Sequence, residues 1–240
     1  MIALSMSNIL TNYLELGYRF HKLESVPLSC KQEPTAVFLI HGWGVRAVAM
    51  ARLASALADE GFTVYNYDYP TSKRNIREHS GIFLSLYRRI LNEEKPSNVF
   101  FVTHSMGGIL LRTALAQMDE SECRRIDAIV MLGPPNRGSV LAYLGKSKVA
   151  RGINASLADM TPVEDSYVRN IPPPPFLPPV GIIAGKYDGK VALGSTLLPD
   201  GQLCQRIIVP CTHPGLRNPQ NTLAPILNFF TSKTFTDSLP

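Results

Sequence analysis

Apolar runs that break at polar, glycine or proline positions recur along this chain. Thr35-Ala-Val-Phe-Leu-Ile40, Thr63–Tyr69, Val99–Val102, Ile126–Leu132, Val180–Gly185 and Gln205–Pro210 are short and rich in β-branched and aromatic residues. Runs of this length and composition predict buried strands. Helical spacing fills the intervals: an alanine-rich stretch near 45–60 closed by Gly61, another near 75–94 stopped by Pro96, a third reaching about Met118, and a last near Thr222–Thr231. Strands that alternate with helices predict an α/β domain, with a mostly parallel sheet flanked by helices. The segment before residue 35 gives no clear pattern. Residues 139–179 exceed the short connections usual in such folds. They hold a helix-like piece, Val140 to Val149, then Ile171-Pro-Pro-Pro-Pro-Phe-Leu-Pro-Pro179. These residues read as an insertion, or cap, within a single domain spanning 1–240.

Composition narrows the class without naming a chemistry. A hydrophobic share of 45% with 18% charged residues suffices for a buried core in a 240-residue chain. No segment approaches the ~18 consecutive apolar residues of a spanning helix. No basic residue precedes Arg19, so the charged start of a secretory signal is missing and a cytoplasmic location is expected. Cys30, Cys123, Cys204 and Cys211 are scattered with no C-x-x-C, and read as idle thiols. The net charge of +5 is spread, clustering only at Lys73–Arg77 and Lys146–Arg151. No recognised motif or aromatic interleaving accompanies it, so nucleic acid is not an expected partner. No metal-ligand spacing is visible, and neither a metal nor another cofactor is expected.

The informative break is Thr103-His104-Ser105-Met106-Gly107-Gly108, between the Val99–Val102 run and the helix pattern Ile109, Leu110, Leu111, Ala114, Leu115. A strand that turns straight into a helix through a serine flanked by small residues is a nucleophile elbow. The tight turn strains the serine backbone and points its hydroxyl out of the sheet, at the positive end of the following helix. The usual pattern is Gly-x-Ser-x-Gly; here Thr103 stands at the first glycine.

Three further strand ends carry polar motifs. His41-Gly42-Trp43-Gly44 follows Ile40, Lys186-Tyr187-Asp188-Gly189 follows Gly185, and Cys211-Thr212-His213-Pro214-Gly215-Leu216 follows Pro210. The order Ser105, Asp188, His213 puts each residue where a strand has just ended, so all three can meet at the carboxyl edge of one sheet. Serine needs a base to take its proton, and an ordinary imidazole titrates near the working pH. The carboxylate would hold that imidazole in one tautomer and stabilise the imidazolium.

On these motifs the chain resembles the α/β-hydrolase superfamily, and more narrowly small bacterial lipases and esterases with a His-Ser-Met-Gly-Gly elbow. The resemblance spans roughly residues 35–231. It implies an α/β-hydrolase fold and a serine hydrolase that cleaves a carboxylic ester through an acyl-serine intermediate. It also implies backbone N–H oxyanion donors at Trp43, after His-Gly, and at Met106, after the nucleophile. His41, Gly42, His104, Gly107 and Gly108 shape the two loops. An amidase, thioesterase or acyltransferase on the same triad remains an alternative, as does a catalytically silent binding protein.

The remaining residues read more plainly. His21 and His79 are expected at the surface or in packing. Asp159, Glu164 and Asp165 are expected at the surface, and Asp200 in a Pro-Asp-Gly turn. The substrate implied is a small-molecule or lipid ester in a mainly apolar pocket lined by Trp43, Met106 and the insertion, with an uncharged acyl chain. The sequence leaves the oligomeric state open.

Overall fold

The computed structural model describes residues 16–24, 35–145, 155–199 and 201–235. Cys30, Asp200, the Lys146–Arg151 cluster and the end of the helix-like piece at 146–149 lie outside the described residues.

Among the described residues, seven strands form one sheet: β1 (Arg19–Leu23), β2 (Thr35–Ile40), β3 (Thr63–Asp68), β4 (Asn98–His104), β5 (Ala128–Leu132), β6 (Val180–Gly185) and β7 (Gln205–Val209). Their order is β1-β3-β2-β4-β5-β6-β7. Of these, β1 alone runs antiparallel, pairing Arg19 with Asp68 and Leu23 with Val64; the other ladders are parallel. The central strands are buried on both faces because side chains alternate across the sheet. Phe38, Ile40, Tyr67 and Phe101 enter one core with Phe83, Tyr87 and Ile109. Val37, Leu39, Val102 and Val130 enter the other with Leu53, Leu57, Ile226 and Phe229.

The helices are α1 (Ala51–Asp59), α2 (Ile76–Glu94), α3 (Met106–Leu115), α4 (Glu120–Arg124), α5 (Ala155–Ala158), α6 (Leu193–Thr196) and α7 (Pro219–Ser232). Helix α2 starts in a capping box in which Asn75 Oδ1 accepts from Glu78 N–H at 2.9 Å and Glu78 Oε2 accepts from Asn75 N–H at 3.0 Å. It ends at Lys95, whose positive φ of 47° sits one residue before Pro96. Among the described residues no helix is long and apolar enough to cross a membrane.

The insertion is bound to this frame. Leu157, Met160, Val168 and Ile171 belong to the core beside Phe83 and Ile109. Asp159 Oδ2 accepts from Ile76 N–H at 2.9 Å, satisfying a free donor at the start of α2. Asp159 is therefore half-buried rather than at the surface, and burial raises its carboxyl while the Ile76 N–H opposes the rise. Glu164 and Asp165 are exposed as expected. Ser156 Oγ donates to the Thr71 carbonyl, and Tyr167 Oη donates to Thr113 Oγ1 at 3.3 Å.

Candidate active site

Ser105 is the residue between β4 and α3. Its φ of 53° and ψ of −125° lie where non-glycine residues are rare, a strain retained because neighbouring contacts fix it. Its N–H donates to the Leu132 carbonyl at 2.9 Å, and its own carbonyl accepts from Gly108 N–H at 3.0 Å. The loop after β2 lies directly against it. A Cβ on Gly42 would come within 2.8 Å of Ser105 Cβ, so only glycine lets the two loops approach this closely. Thr103, at the position of the usual first glycine, is fully buried.

His213 and Asp188 meet across two different strand ends. His213 Nδ1 lies 2.6 Å from Asp188 Oδ2, and both side chains are almost wholly buried. Asp188 Oδ1 accepts from the N–H groups of Lys190 and Val191 at 2.8 and 2.9 Å. Burial alone would raise the Asp188 carboxyl, but the His213 hydrogen bond and these two amides hold it below the usual range. A carboxylate accepts only, so Nδ1 carries a proton, and in the neutral imidazole Nε2 keeps its lone pair. Gly133 closes the arrangement from below: its φ is +54°, and a Cβ there would sit 3.2 Å from both Asp188 Oδ2 and His213 Nδ1.

Two more histidines are committed to shape. His104 Nε2 lies 3.1 Å from the His213 carbonyl, which can only accept, so Nε2–H donates and tethers the His213 backbone. Burial pushes the His104 imidazole well below its ordinary range, with the neighbouring His213 and Arg217 adding to this. His41 is buried and stacked on Tyr69. Tyr69 N–H donates to His41 Nε2 at 3.3 Å, so Nδ1–H donates to the Gly42 carbonyl at 2.9 Å. Burial lowers this imidazole to about 4, which keeps that neutral tautomer. Behind the same loop, Asp68 accepts from Arg46 at 2.7 Å and from Ala47 N–H at 3.0 Å.

Ser105, His104 and His213 line a cavity of about 60 Å³. Trp43 and Val45, Leu141, Leu157 and Met160 of the insertion, and Lys190, Val191 and Arg217 also line it. Met106 is buried and does not line the cavity. The Ser105 hydroxyl and His213 share this space without a hydrogen bond between them. Such bonds are often long in free enzymes and tighten when substrate fills the site. Among the described residues, no turn or loop hydrogen bond uses the N–H of Trp43 or of Met106, and no group of three or more His, Cys, Asp or Glu is placed to hold a metal.

Several supports were invisible to sequence reading. Arg112 sits inside the apolar pattern of α3 and is buried; its Nη1 donates to the Asn136 carbonyl at 3.1 Å, holding the loop after β5. Gly133 and Arg217 also went unmarked. The run Gly133-Pro-Pro-Asn-Arg-Gly138 marks a loop, and so signals Gly133 and Asn136 but neither Arg112 nor Arg217. His79 is a packing residue, buried with Nδ1 2.9 Å from Tyr18 Oη, and His21 is exposed.

No curated protein matches the chain in sequence. Among solved structures, the mature lipase of Bacillus licheniformis superposes with a TM-score of 0.63 at 17% identity, covering 88% of this chain and 98% of that one. An esterase of Rhodococcus gives 0.58 at 13%, covering 90% and 98%. The enol-lactonase of Burkholderia xenovorans gives 0.58 at 14%, covering 89% and 96%. At these identities the likeness is one of fold. The family model described as "Alpha/beta hydrolase family" matches the sequence itself over residues 37–224, from β2 through every strand-end loop above. With more than three quarters of its length inside that match, the chain belongs to the alpha/beta hydrolase family.

Proposed function

We propose that this protein is a serine esterase that works through an acyl-serine intermediate, with Ser105 as nucleophile, His213 as general base and Asp188 as its orienting acid. The observation that carries the reading is the 2.6 Å contact between His213 and Asp188, with His213 and Ser105 lining one cavity. In the acylation step Ser105 Oγ attacks the ester carbonyl carbon while His213 Nε2 takes the hydroxyl proton. The carbonyl oxygen becomes an oxyanion, held by the N–H groups of Trp43 and Met106. As the tetrahedral intermediate collapses, the carbon–oxygen bond to the alcohol breaks and the imidazolium gives that oxygen its proton. Water then repeats the sequence on the acyl-serine, releasing the acid and restoring the hydroxyl.

Residues 139–179 act in this reading as a cap, since Leu141, Leu157 and Met160 face the same cavity as Ser105. A volume of about 60 Å³ is well below the roughly 300–1,000 Å³ of sites for drug-sized ligands. That favours a short acyl group over a fatty acyl chain. Hydrolysis of 4-nitrophenyl esters from acetate to decanoate tests the assignment. Turnover should peak at the short esters and vanish in Ser105→Ala and His213→Ala. Equal turnover in Ser105→Ala would remove it. 4-Nitroacetanilide and an acetyl thioester, run alongside, test the amide and thioester alternatives.

A further inference from the structure

The cavity at Ser105 carries an unbalanced positive charge. Its charged lining residues, among those described, are Lys190 and Arg217, and no carboxylate joins them. Lys190 is exposed at the rim, whereas Arg217 is half-buried in the turn that follows His213. Arg217 Nε is fully buried, with no hydrogen-bond partner among the described residues. The carboxylate of the site, Asp188, is engaged elsewhere: Oδ2 with His213 and Oδ1 with two backbone amides. A buried guanidinium N–H without an acceptor carries an unmet hydrogen-bond cost, which an acceptor entering the cavity would relieve. Its presence in the wall of a reaction cavity calls for an anion supplied from outside.

The geometry points to a substrate that bears an anionic group, a carboxylate or a phosphate, held by Arg217 next to the scissile ester, with Lys190 at the entrance. The inference rests on the esterase reading and replaces the uncharged acyl chain expected from sequence. It also has a consequence for the chemical step. A cation on this wall opposes the imidazolium that forms on His213 as Ser105 loses its proton. A substrate anion beside Arg217 offsets that opposition, so an acidic ester should gain in kcat as well as in KM. The planar fork of Arg suits bidentate binding of either anion.

Two ester pairs of near-equal shape test this on the full chain: 4-acetoxybenzoate against its methyl ester, with the charge on the alcohol side, and monomethyl against dimethyl glutarate, with it on the acyl side. The acidic member of at least one pair should lead in kcat/KM by about tenfold or more, the range of a charge-assisted hydrogen bond. Arg217→Gln should erase that ratio and Arg217→Lys should keep part of it. A phosphate monoester, 4-acetoxyphenyl phosphate, separates phosphate from carboxylate preference. Equal or better turnover of the neutral member of both carboxylate pairs, with no lead for the phosphate, overturns the inference while leaving the esterase reading intact. If no ester is turned over, the esterase reading fails. Titration of the Ser105→Ala protein with glutaramate and with neutral glutaramide then decides the subsite alone. Tighter glutaramate binding that is lost on adding Arg217→Gln supports it, and equal binding overturns it.

Discussion

Replacing Gly42 with alanine adds one methyl group at the point where the two loops of the site touch. The new Cβ would lie 2.8 Å from Ser105 Cβ, 3.0 Å from His104 Nδ1 and 3.2 Å from the His104 carbonyl. Apolar carbon pairs rest at about 3.5–4.0 Å, so the loops must part by roughly 1 Å. Ser105 has little room to yield: its strained φ is fixed by hydrogen bonds from its N–H to Leu132 and from Gly108 N–H to its carbonyl. The displacement falls on Ser105 or on the Trp43 N–H one residue on, and either moves the proposed nucleophile relative to the proposed oxyanion donors. A misplacement of this size costs about 10² in rate, and the overpacking about 1–3 kcal/mol in stability. Gly81, inside α2 with nothing within 4 Å of an added methyl, is the matched control; there alanine should stabilise by about 0.5–1 kcal/mol, as in any helix interior. Steady-state kinetics on 4-nitrophenyl acetate and urea unfolding of both variants check this. Gly42→Ala activity within threefold of wild type would refute the close-approach argument.

Other outcomes follow from single contacts. Asp188→Asn should leave a folded protein with kcat lowered by about 10⁴, because an amide N–H facing Nδ1 favours the wrong tautomer of His213; near-normal kcat would mean another carboxylate orients the imidazole. His104→Phe removes the donor to the His213 carbonyl and should lower kcat about tenfold with little change in KM; kinetics read both, and a pure KM effect would contradict the positioning role. Burial pushes the Asp68 carboxyl upward, but Arg46 and the Ala47 amide hold it at about 2, below the ordinary 3.8. Its folded value is depressed, so its stabilisation is complete above pH 3.8 and is lost as pH falls through about 2. Discounted for the half-exposed Arg46, the contribution is about 1–2 kcal/mol; urea unfolding across that window should show a shallower acid limb in Asp68→Asn, and an unchanged limb would refute it.

The central parallel strands were legible because burial on both faces leaves unbroken apolar runs, as in Val37–Ile40 and Ile129–Leu132; the edge strand β7 is only partly buried and showed through Ile207-Ile208-Val209. Strand β1 was not legible: as an edge strand it spells Arg-Phe-His-Lys-Leu, half-exposed, and only its pairing with β3 makes it a strand. The single turns α5 and α6 are too short to show a period. Within the site, Ser105, Asp188 and His213 stood out because each follows a strand in a distinctive motif. Gly133, Arg112 and Arg217 did not, since their roles depend on what the fold brings beside them: the Asp188–His213 pair, the loop after β5, and an uncompensated cavity wall.

The proposed chemistry depends on the Ser105 hydroxyl being the group that attacks. Incubation of the folded protein with a short-chain fluorophosphonate, followed by peptide mass spectrometry, tests this directly. One phosphonyl adduct per chain is expected, located on Ser105, absent in Ser105→Ala and formed far more slowly in His213→Ala. An adduct on a different residue, or an unreactive Ser105 in a protein shown to be folded, would contradict it.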